Sequence, residues 1–308
     1  MEKTRRHLSG LGFALLAAVI NGSVGVFITL SARMALESSA IAFYKCFLAV
    51  VILAIFLWAN ATLRQSIRNV FRSPILAAAG FFGVFVMNSF EVRAYRLESV
   101  ATVVLMFLAG ATVATQGLTI FMLSQRMTVG RAIAIGLCSA GVFLLMPKYL
   151  SFSAAAGCLL GAIAGVGYGT YMVIAQRFAL KARLEDIFGM MVWGTIFLLP
   201  EYIVGGARIP SFDAWGMLIW LAMFPTILGY FLTTAAVTRI GASKVQLLEL
   251  SEPLFAALMA WYFLNELLSS GQIMGGLAIV LASYAGDVID KLVPGTHRQR
   301  RPSWRGSR

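Results

Sequence analysis

The sequence predicts an all-α, polytopic membrane protein with ten transmembrane helices in two inverted five-helix repeats. Three observations predict this fold class: a very apolar composition, ten apolar segments that divide five and five, and a one-sided distribution of Lys and Arg. Of 308 residues, 59% are hydrophobic and only 12% are charged. The mean hydropathy is +0.83. Such values lie far from those of soluble globular proteins.

The apolar segments have the length and composition of membrane-crossing helices, which need about 20 residues. They are apolar on every side, whereas strands of a membrane β-barrel would alternate. The predicted spans are Leu11–Leu30, Ser39–Trp58, Pro74–Tyr95, Val100–Leu123, Ala132–Met146, Ala154–Ala175, Ile187–Val204, Trp215–Val237, Val245–Leu264 and Gln272–Ile289. No cleavage site of small residues follows the N-terminal tail, so we expect the first span to be retained.

The even division of the spans predicts the repeats. A segment that crosses the membrane five times leaves on the face opposite its entry, so the second half must be inverted relative to the first. A register shift that pairs Ala101 with Ala242 also pairs Val104 with Val245, in the fourth and ninth spans. The expected organisation is an N-terminal tail over 1–10, repeats over 11–147 and 154–289, and a basic tail over 290–308.

Basic residues lie mainly on one side of this topology. The side that holds both termini carries Lys3, Arg5, Arg6, Arg64, Arg68, Arg72, Arg126, Arg131, Arg177, Lys181, Arg183, Arg239, Lys244, Lys291, Arg298, Arg300, Arg301, Arg305 and Arg308. The opposite loops carry Arg33, Arg93, Arg96, Lys148 and Arg208. The positive-inside rule then places both termini in the cytoplasm, and we expect a bacterial inner membrane. Because this placement explains the excess of 25 basic over 13 acidic residues, no nucleic-acid partner is expected.

Metal, cofactor and nucleotide chemistry is not expected. The cysteines Cys46, Cys138 and Cys158 lie within apolar spans, and His7 and His297 lie in the tails, so no metal-ligand cluster is predicted. The sequence has no glycine-rich phosphate loop. Without a histidine in the spans, the usual nucleophile and base of an intramembrane hydrolase are missing, so an enzyme is disfavoured.

Two sets of motifs resemble a known family. The second half contains Leu250-Ser251-Glu252-Pro253-Leu254-Phe255-Ala256-Ala257, then Leu264-Asn265-Glu266, and before them Arg239-Ile240-Gly241-Ala242. The first half contains the looser counterparts Phe43-Tyr44-Lys45-Cys46-Phe47-Leu48-Ala49, Ala94-Tyr95-Arg96 and Leu123-Ser124-Gln125-Arg126. These segments resemble the EamA-type drug/metabolite transporter superfamily, closest in kind to its exporters of aromatic amino acids.

The resemblance implies ten helices around a central cavity and export of a small metabolite by alternating access. Amino acids with apolar or aromatic side chains are the expected cargo, and sugar phosphates or nucleotide-linked sugars are the alternative. Facilitated diffusion and proton antiport both stay open. The chain departs from the family at Lys45, where Arg is frequent, and at Ala111-Thr112, where Ser-Pro is frequent.

Charged side chains within the spans are costly in hydrocarbon and must face protein or water. Lys45 and Glu91 fall at similar depth, which favours a structural ion pair. In the alternative, Lys45 binds the substrate carboxylate and an acid binds the substrate ammonium or a coupling proton. Glu252 is the deeper acid and the better candidate for carrying a coupling proton, although it also belongs to the family motif. Glu249 lies three residues earlier on the same helix face.

Polar and aromatic residues of other spans complete the predicted cavity. On the third span, Phe81, Asn88, Glu91 and Tyr95 share one helical face by their spacing. The further cavity candidates are Asn21, Tyr44, Tyr168, Tyr171, Trp193, Tyr230 and Gln246. Their rings suit an apolar cargo, and their hydroxyls and amides suit its polar end.

Glycines and prolines suggest where helices pack or bend. Gly157, Gly161, Gly165 and Gly169 form a stripe on the sixth span, which serves either static packing or sliding during transport. Gly110, Pro225 and Pro253 are candidate hinges in the fourth, eighth and ninth spans, with fixed kinks as the alternative.

Overall fold

The computed structural model describes residues 2–60, 63–124 and 152–267, together with scattered residues of 129–136 and 270–281. In this part of the chain every regular element is helical. The predicted fifth and tenth spans, Ala132–Met146 and Gln272–Ile289, fall mostly outside the described residues, as does the basic tail.

Eight helical stretches in the described ranges are long and apolar enough to cross a membrane. We number them TM1 to TM4 and TM6 to TM9 and keep TM5 and TM10 for the two predicted spans. Their bounds are His7–Arg33, Ser38–Ala59, Pro74–Leu97, Val100–Leu123, Phe152–Arg177, Leu184–Val204, Phe212–Ile240 and Ala242–Leu264. The all-α membrane fold is confirmed, and each of these spans overlaps a predicted one.

Two of the eight spans are divided into separate helices near their middle. TM1 consists of helices Glu2–Asn21 and Val24–Arg33, joined by a turn. TM9 consists of Ala242–Glu249 and Glu252–Leu264, and the second helix carries proline at one of its first two positions. Proline suits the first turn of a helix, because a backbone N–H at this position has no carbonyl within the helix to donate to.

Two further spans contain wide π-helical turns. TM3 runs through Pro74–Gly80, the π-helix Phe81–Val86 and Met87–Leu97. TM8 begins with the 3₁₀ turn Phe212–Ala214 and continues through Trp215–Leu221, the π-helix Ala222–Gly229 and Tyr230–Ile240. Such π segments are uncommon and occur frequently at functional sites.

These interruptions lie next to one another in the fold. A methyl group on Gly22 of TM1 would overlap Phe255 of TM9, and one on Gly229 of TM8 would come within 2.7 Å of the Asn21 Oδ1. The glycines therefore allow TM1, TM8 and TM9 to approach closely at the level of their breaks. The irregular backbone is gathered inside the bundle, which is where membrane proteins tolerate it.

TM4 and TM6 pack with their backbones in contact. A methyl group on Gly165 would overlap the Phe107 carbonyl, and one on Gly169 would lie 2.5 Å from the Ala111 carbonyl. On the facing helix, Gly110 meets the Ala162 carbonyl in the same way. The glycine stripe of TM6 thus has a packing role in this conformation.

A short amphipathic helix, Leu63–Arg72, precedes TM3 and was not predicted. It buries Val70, while Ile67, Arg68, Phe71 and Arg72 are exposed. Its basic residues suggested a loop, but a helix with one apolar and one basic face is typical of the membrane interface.

Candidate functional site

A central pocket lies where the interrupted spans meet. It is lined by Asn21, Val24, Lys45, Met87, Asn88, Glu91, Phe107, Tyr168, Pro225, Thr226, Gly229, Tyr230 and Glu252. The space between these residues totals about 430 Å³, open solvent included, but only about 20 Å³ of it can hold the centre of a water molecule. A larger ligand therefore requires the pocket to widen.

Lys45 and Glu91 form an ion pair in this pocket. The Lys45 Nζ lies 3.6 Å from the Glu91 Oε2, and both side chains are at most 5% exposed. The predicted pairing of these two residues is therefore present. Asn88 lies one turn before Glu91 and donates from its Nδ2 to the Val84 carbonyl in the π segment, at 2.6 Å.

Glu252 adds a second carboxylate to the pocket. It is the first residue of the helix Glu252–Leu264 and is 6% exposed. A helix N-terminus favours a negative charge through its free N–H groups. Among the described residues, no hydrogen bond or ion pair of the Glu252 side chain is found. The pocket lining therefore contains one basic and two acidic side chains.

Aromatic rings form one wall of the pocket. Tyr230 donates its hydroxyl hydrogen to the Gly83 carbonyl in TM3. Tyr168 packs at 5.4 Å from the Phe107 ring and donates to the Glu249 Oε1 at 3.0 Å. These rings give the pocket an apolar surface beside its charged groups.

Most of the predicted cavity residues meet at or beside this pocket. Those that line it are Asn21, Lys45, Asn88, Glu91, Tyr168, Tyr230 and Glu252, with the predicted hinge Pro225. Three others are buried behind the lining and face polar partners: Tyr171 contacts the Thr234 hydroxyl at 2.5 Å, Gln246 reaches Thr112, and Glu249 accepts from Tyr168.

Three predicted cavity residues lie elsewhere. Phe81 is 37% exposed and packs against other phenylalanines, because the π segment that begins at this residue rotates it away from the face of Asn88 and Glu91. Trp193 donates from its Nε1 to the Val70 carbonyl of the amphipathic helix, at 3.0 Å. Tyr44 contacts Tyr202 of TM7 and Trp215 of TM8.

An aromatic and ionic cluster surrounds the C-terminal end of TM7. The Tyr44 hydroxyl lies 2.9 Å from the Tyr202 hydroxyl, and the Tyr202 ring stacks on Phe43 at 4.4 Å. Nearby, the Arg93 Nη2 lies 2.7 Å from the Glu201 Oε1. The predicted topology places this cluster at the extracellular end.

The three candidate hinges differ in their surroundings. Pro253 is the second residue of the second helix of TM9, which follows the turn at Leu250 and Ser251. Pro225 lies inside the π segment of TM8. Gly110, by contrast, lies within the uninterrupted helix of TM4 against Ala162, and this contact accounts for a glycine there.

Sequence reasoning missed five lining residues, namely Val24, Met87, Phe107, Thr226 and Gly229. Val24 follows Gly22-Ser23, and Gly229 lies four residues after Pro225. Glycine, serine and proline within an apolar span indicate an interrupted helix, and this signal could have located both residues. Met87 and Phe107 gave no signal, because apolar residues on apolar helices are indistinguishable by pattern.

A family model of EamA-like transporters matches the sequence twice, over residues 8–146 and 155–285. The chain belongs to the EamA-like transporter family. The predicted family is thereby confirmed. As an EamA protein, the chain is a polytopic membrane protein of a transporter family.

Curated relatives agree with this assignment. An uncharacterized transporter of Archaeoglobus fulgidus is 24% identical over 270 residues, which cover 87% of this chain and 92% of the relative. A second one from that organism is 25% identical over 259 residues, covering 81% and 87%. The uncharacterized transporter YdfC of Bacillus subtilis is 23% identical over 127 residues, covering 40% and 42%.

A solved crystal structure shares the fold of this EamA protein. It superposes with a TM-score of 0.67 at 18% identity and covers 94% of this chain and 100% of its own. At this identity the likeness concerns the fold alone.

Proposed function

We propose that this EamA protein is a secondary transporter that exports neutral amino acids with apolar or aromatic side chains across the bacterial inner membrane by alternating access. The observation that carries the proposal is the charge pattern of the central pocket. A free amino acid presents one carboxylate and one ammonium group within a few ångströms, and the pocket offers Lys45 beside Glu91 together with Glu252.

In this proposal the cargo divides the existing ion pair. Its carboxylate binds Lys45, and its ammonium group binds Glu252 or Glu91. Because charged hydrogen bonds formed out of water are stronger than neutral ones, the exchange of one ion pair for two can compensate for removing the cargo from water. The apolar side chain then contacts the rings of Phe107, Tyr168 and Tyr230.

The pocket charge disfavours the alternative cargo. A sugar phosphate or nucleotide-linked sugar carries two or more negative charges and requires several cations, usually arginines. Lys45 is the only Lys or Arg among the lining residues described, and two carboxylates accompany it. An enzymatic function finds no support in the same pocket, since its lining contains neither a histidine nor a cysteine.

Transport also requires two access routes that open alternately. In this conformation the pocket is too narrow for an amino acid, and the Tyr44 hydroxyl of TM2 contacts the Tyr202 hydroxyl of TM7. The breaks in TM1 and TM9 are points where half-helices can tilt without breaking further backbone hydrogen bonds. We therefore infer that the aromatic cluster is the outer gate.

Uptake by proteoliposomes tests the proposal. Purified protein is reconstituted with internal unlabelled cargo, and exchange with external radiolabelled cargo is measured for phenylalanine, leucine, glucose 6-phosphate and a nucleotide sugar. We expect exchange with the two amino acids and none with the phosphorylated compounds. Exchange with a sugar phosphate, or with no amino acid of the natural set, would reject the proposal.

A further inference from the structure

A buried cluster of oxygen atoms lies behind the pocket where TM9 breaks. Glu249 ends the first helix of TM9 and is fully buried. Its Oε1 accepts hydrogen bonds from the Tyr168 hydroxyl and the Thr233 hydroxyl, each at 3.0 Å. Its Oε2 is also buried and has no hydrogen-bond partner within the described ranges.

The residues beside Glu249 leave further oxygens without donors. Gln246 lies one turn earlier on the same face and is fully buried; its Nε2 contacts the Thr112 Oγ1 at 3.4 Å, but its Oε1 has no partner. On TM4, the Thr115 Oγ1 and the Gln116 Oε1 are in the same situation. A carboxylate and two amide oxygens can only accept hydrogen bonds, so of these unpartnered atoms only the Thr115 hydroxyl can donate one.

The helix break adds one more acceptor. Pro253 has no N–H to donate to the carbonyl of Glu249, four residues before it. The Glu249 carbonyl therefore accepts no hydrogen bond from Pro253, at the same point in the span as the unpartnered side-chain Oε2. Buried polar groups without partners cost free energy, and an unbalanced buried carboxylate costs the most.

The groups that face Glu249 do not neutralise it. TM6 contributes Tyr168 and Tyr171, TM8 contributes Tyr230, and TM9 contributes Glu252. The facing parts of TM1 and TM4, residues 10–21 and 100–119, contain no titratable side chain. Of the cations described nearby, Lys45 pairs with Glu91, and Arg239 binds the Ala235 carbonyl at 2.7 Å.

One side chain joins this cluster to the pocket. The Tyr168 ring lines the pocket, and its hydroxyl binds both Glu249 and Thr233. A cargo that displaces the ring must change the hydrogen bonds of Glu249, and a change at Glu249 must alter the wall that the cargo meets. Two sites that share an element in this way are coupled reciprocally.

We propose that Glu249 is the proton-coupling site of this transporter: it binds a proton from one side of the membrane and releases it to the other as the cargo crosses in the opposite direction. This proposal rests on the proposed function and extends it from transport to proton antiport. It assigns the coupling proton to Glu249, one turn before the Glu252 that the sequence suggested.

The proton step forms and breaks one O–H bond. In the protonated state, the Glu249 Oε2 carries a hydrogen and becomes a hydrogen-bond donor on the helix face that also holds the unpartnered Gln246 Oε1. In the ionised state, Tyr168 and Thr233 donate to the carboxylate. Alternation between these two states needs no other reactant, since the proton comes from water on one side and returns to water on the other.

The test compares two modes of transport in proteoliposomes with radiolabelled phenylalanine. Exchange of internal for external phenylalanine requires no net proton movement, whereas uphill accumulation driven by an imposed pH gradient does. For wild-type protein we expect both. For Glu249→Gln we expect exchange within about threefold of wild type and at least a tenfold loss of pH-driven accumulation. Glu37→Gln, at an exposed loop position, is the matched control and should keep both activities.

Each other outcome decides between the two proposals. Three outcomes would overturn the proton site and leave the proposed function intact. The wild type could exchange without pH-driven accumulation, or accumulate phenylalanine in response to a sodium gradient instead. Glu249→Gln could also retain pH-driven accumulation. Absence of exchange of phenylalanine and leucine by the wild type would overturn the proposed function itself.

A second variant covers the case in which Glu249→Gln loses exchange as well. Glu249→Asp keeps a carboxylate on a shorter side chain. Exchange and accumulation that return together in this variant support the proton site. Exchange that returns alone, or loss of both activities in both variants despite normal gel-filtration profiles, assigns Glu249 to packing or cargo binding and overturns the proposal.

Discussion

At the scale of single residues, the central fact is a lysine and two glutamates inside a membrane-spanning bundle. Burial of an ion pair removes both partners from water, and the attraction between them offsets this cost only in part. Lys45 and Glu91 at 3.6 Å are therefore expected to contribute little net stability as a pair, although each depends strongly on the other. Their position in the pocket gives a functional reason for keeping them.

Removal of Lys45 tests this reasoning. Lys45→Met leaves the Glu91 carboxylate buried without its cation, which costs about 3–5 kcal/mol. We expect a lower melting temperature in detergent and loss of exchange. The double variant Lys45→Met, Glu91→Leu should recover the melting temperature but not exchange, because its pocket cannot bind the cargo carboxylate. Recovery of exchange in the double variant would show that the pair is purely structural.

The sequence predicts those site residues whose burial in the membrane costs free energy, because such residues must have a partner or a function. Lys45, Glu91 and Glu252 were found because charges in hydrocarbon need a partner or a function. Tyr44 and Trp193 were misplaced because polar aromatic residues suit helix ends and interfaces as well as cavities. Nothing in the sequence distinguishes these settings, since the tertiary neighbours Tyr202 and Val70 are far away along the chain.

At the scale of elements, the breaks in the spans determine the site. The lengths and order of TM1 to TM4 and TM6 to TM9 follow from apolar composition, and the sequence predicted them within a few residues. The π segment of TM3 could not be predicted, because one glycine among apolar residues does not mark it. In TM8, Pro225 and Gly229 indicate an irregular helix but do not specify a π-helical turn. Phe81 shows the consequence, since its predicted face assumed a regular helix through residue 86.

Straightening TM9 is expected to slow transport without lowering the stability of the protein. Pro253→Ala restores an N–H that can donate to the Glu249 carbonyl, so the two helices of TM9 can join. We expect an unchanged or higher melting temperature and at least a tenfold slower exchange. Pro200→Ala is the control, since Pro200 is an exposed proline inside the helix of TM7, and it should change exchange less than twofold. Normal exchange by Pro253→Ala would show that the break has no part in transport.

The contact between TM4 and TM6 makes a prediction about stability alone. Gly165→Ala places a methyl group against the Phe107 carbonyl, and overpacking of this kind costs about 1–3 kcal/mol. Gly117→Ala, on TM4 with open space around it, should be neutral or slightly stabilising. Thermal unfolding in detergent should rank Gly165→Ala clearly below wild type and Gly117→Ala at or above it. Equal melting temperatures would contradict the close packing.

At the scale of the whole molecule, two matches to one family model and the central meeting of TM1, TM3, TM8 and TM9 agree with a transporter built from two halves. The sequence predicted this architecture because membrane thickness and charge asymmetry constrain topology strongly. It could not predict how closely the halves approach, which depends on individual contacts such as Gly22 with Phe255.

The topology has a direct test in reporter fusions. With the predicted TM5 and TM10 the number of spans is even, so we expect both termini in the cytoplasm. A fluorescent protein fused after Arg308 should fluoresce, and alkaline phosphatase fused there should be inactive. The opposite pattern should appear for fusions in the loop at residues 205–211, between Val204 and Phe212. Two termini on different sides would contradict the inverted repeats.

The most direct measurement of the central claim, that the pocket binds both charged groups of an amino acid, is competition in the exchange assay. Phenylalanine is compared with phenethylamine, which lacks the carboxylate, and with 3-phenylpropionate, which lacks the ammonium group. We expect unlabelled phenylalanine to compete at least tenfold better than either analogue, and Glu252→Gln to reduce this preference over 3-phenylpropionate. Equal competition by all three compounds would show that the pocket does not bind both charged groups.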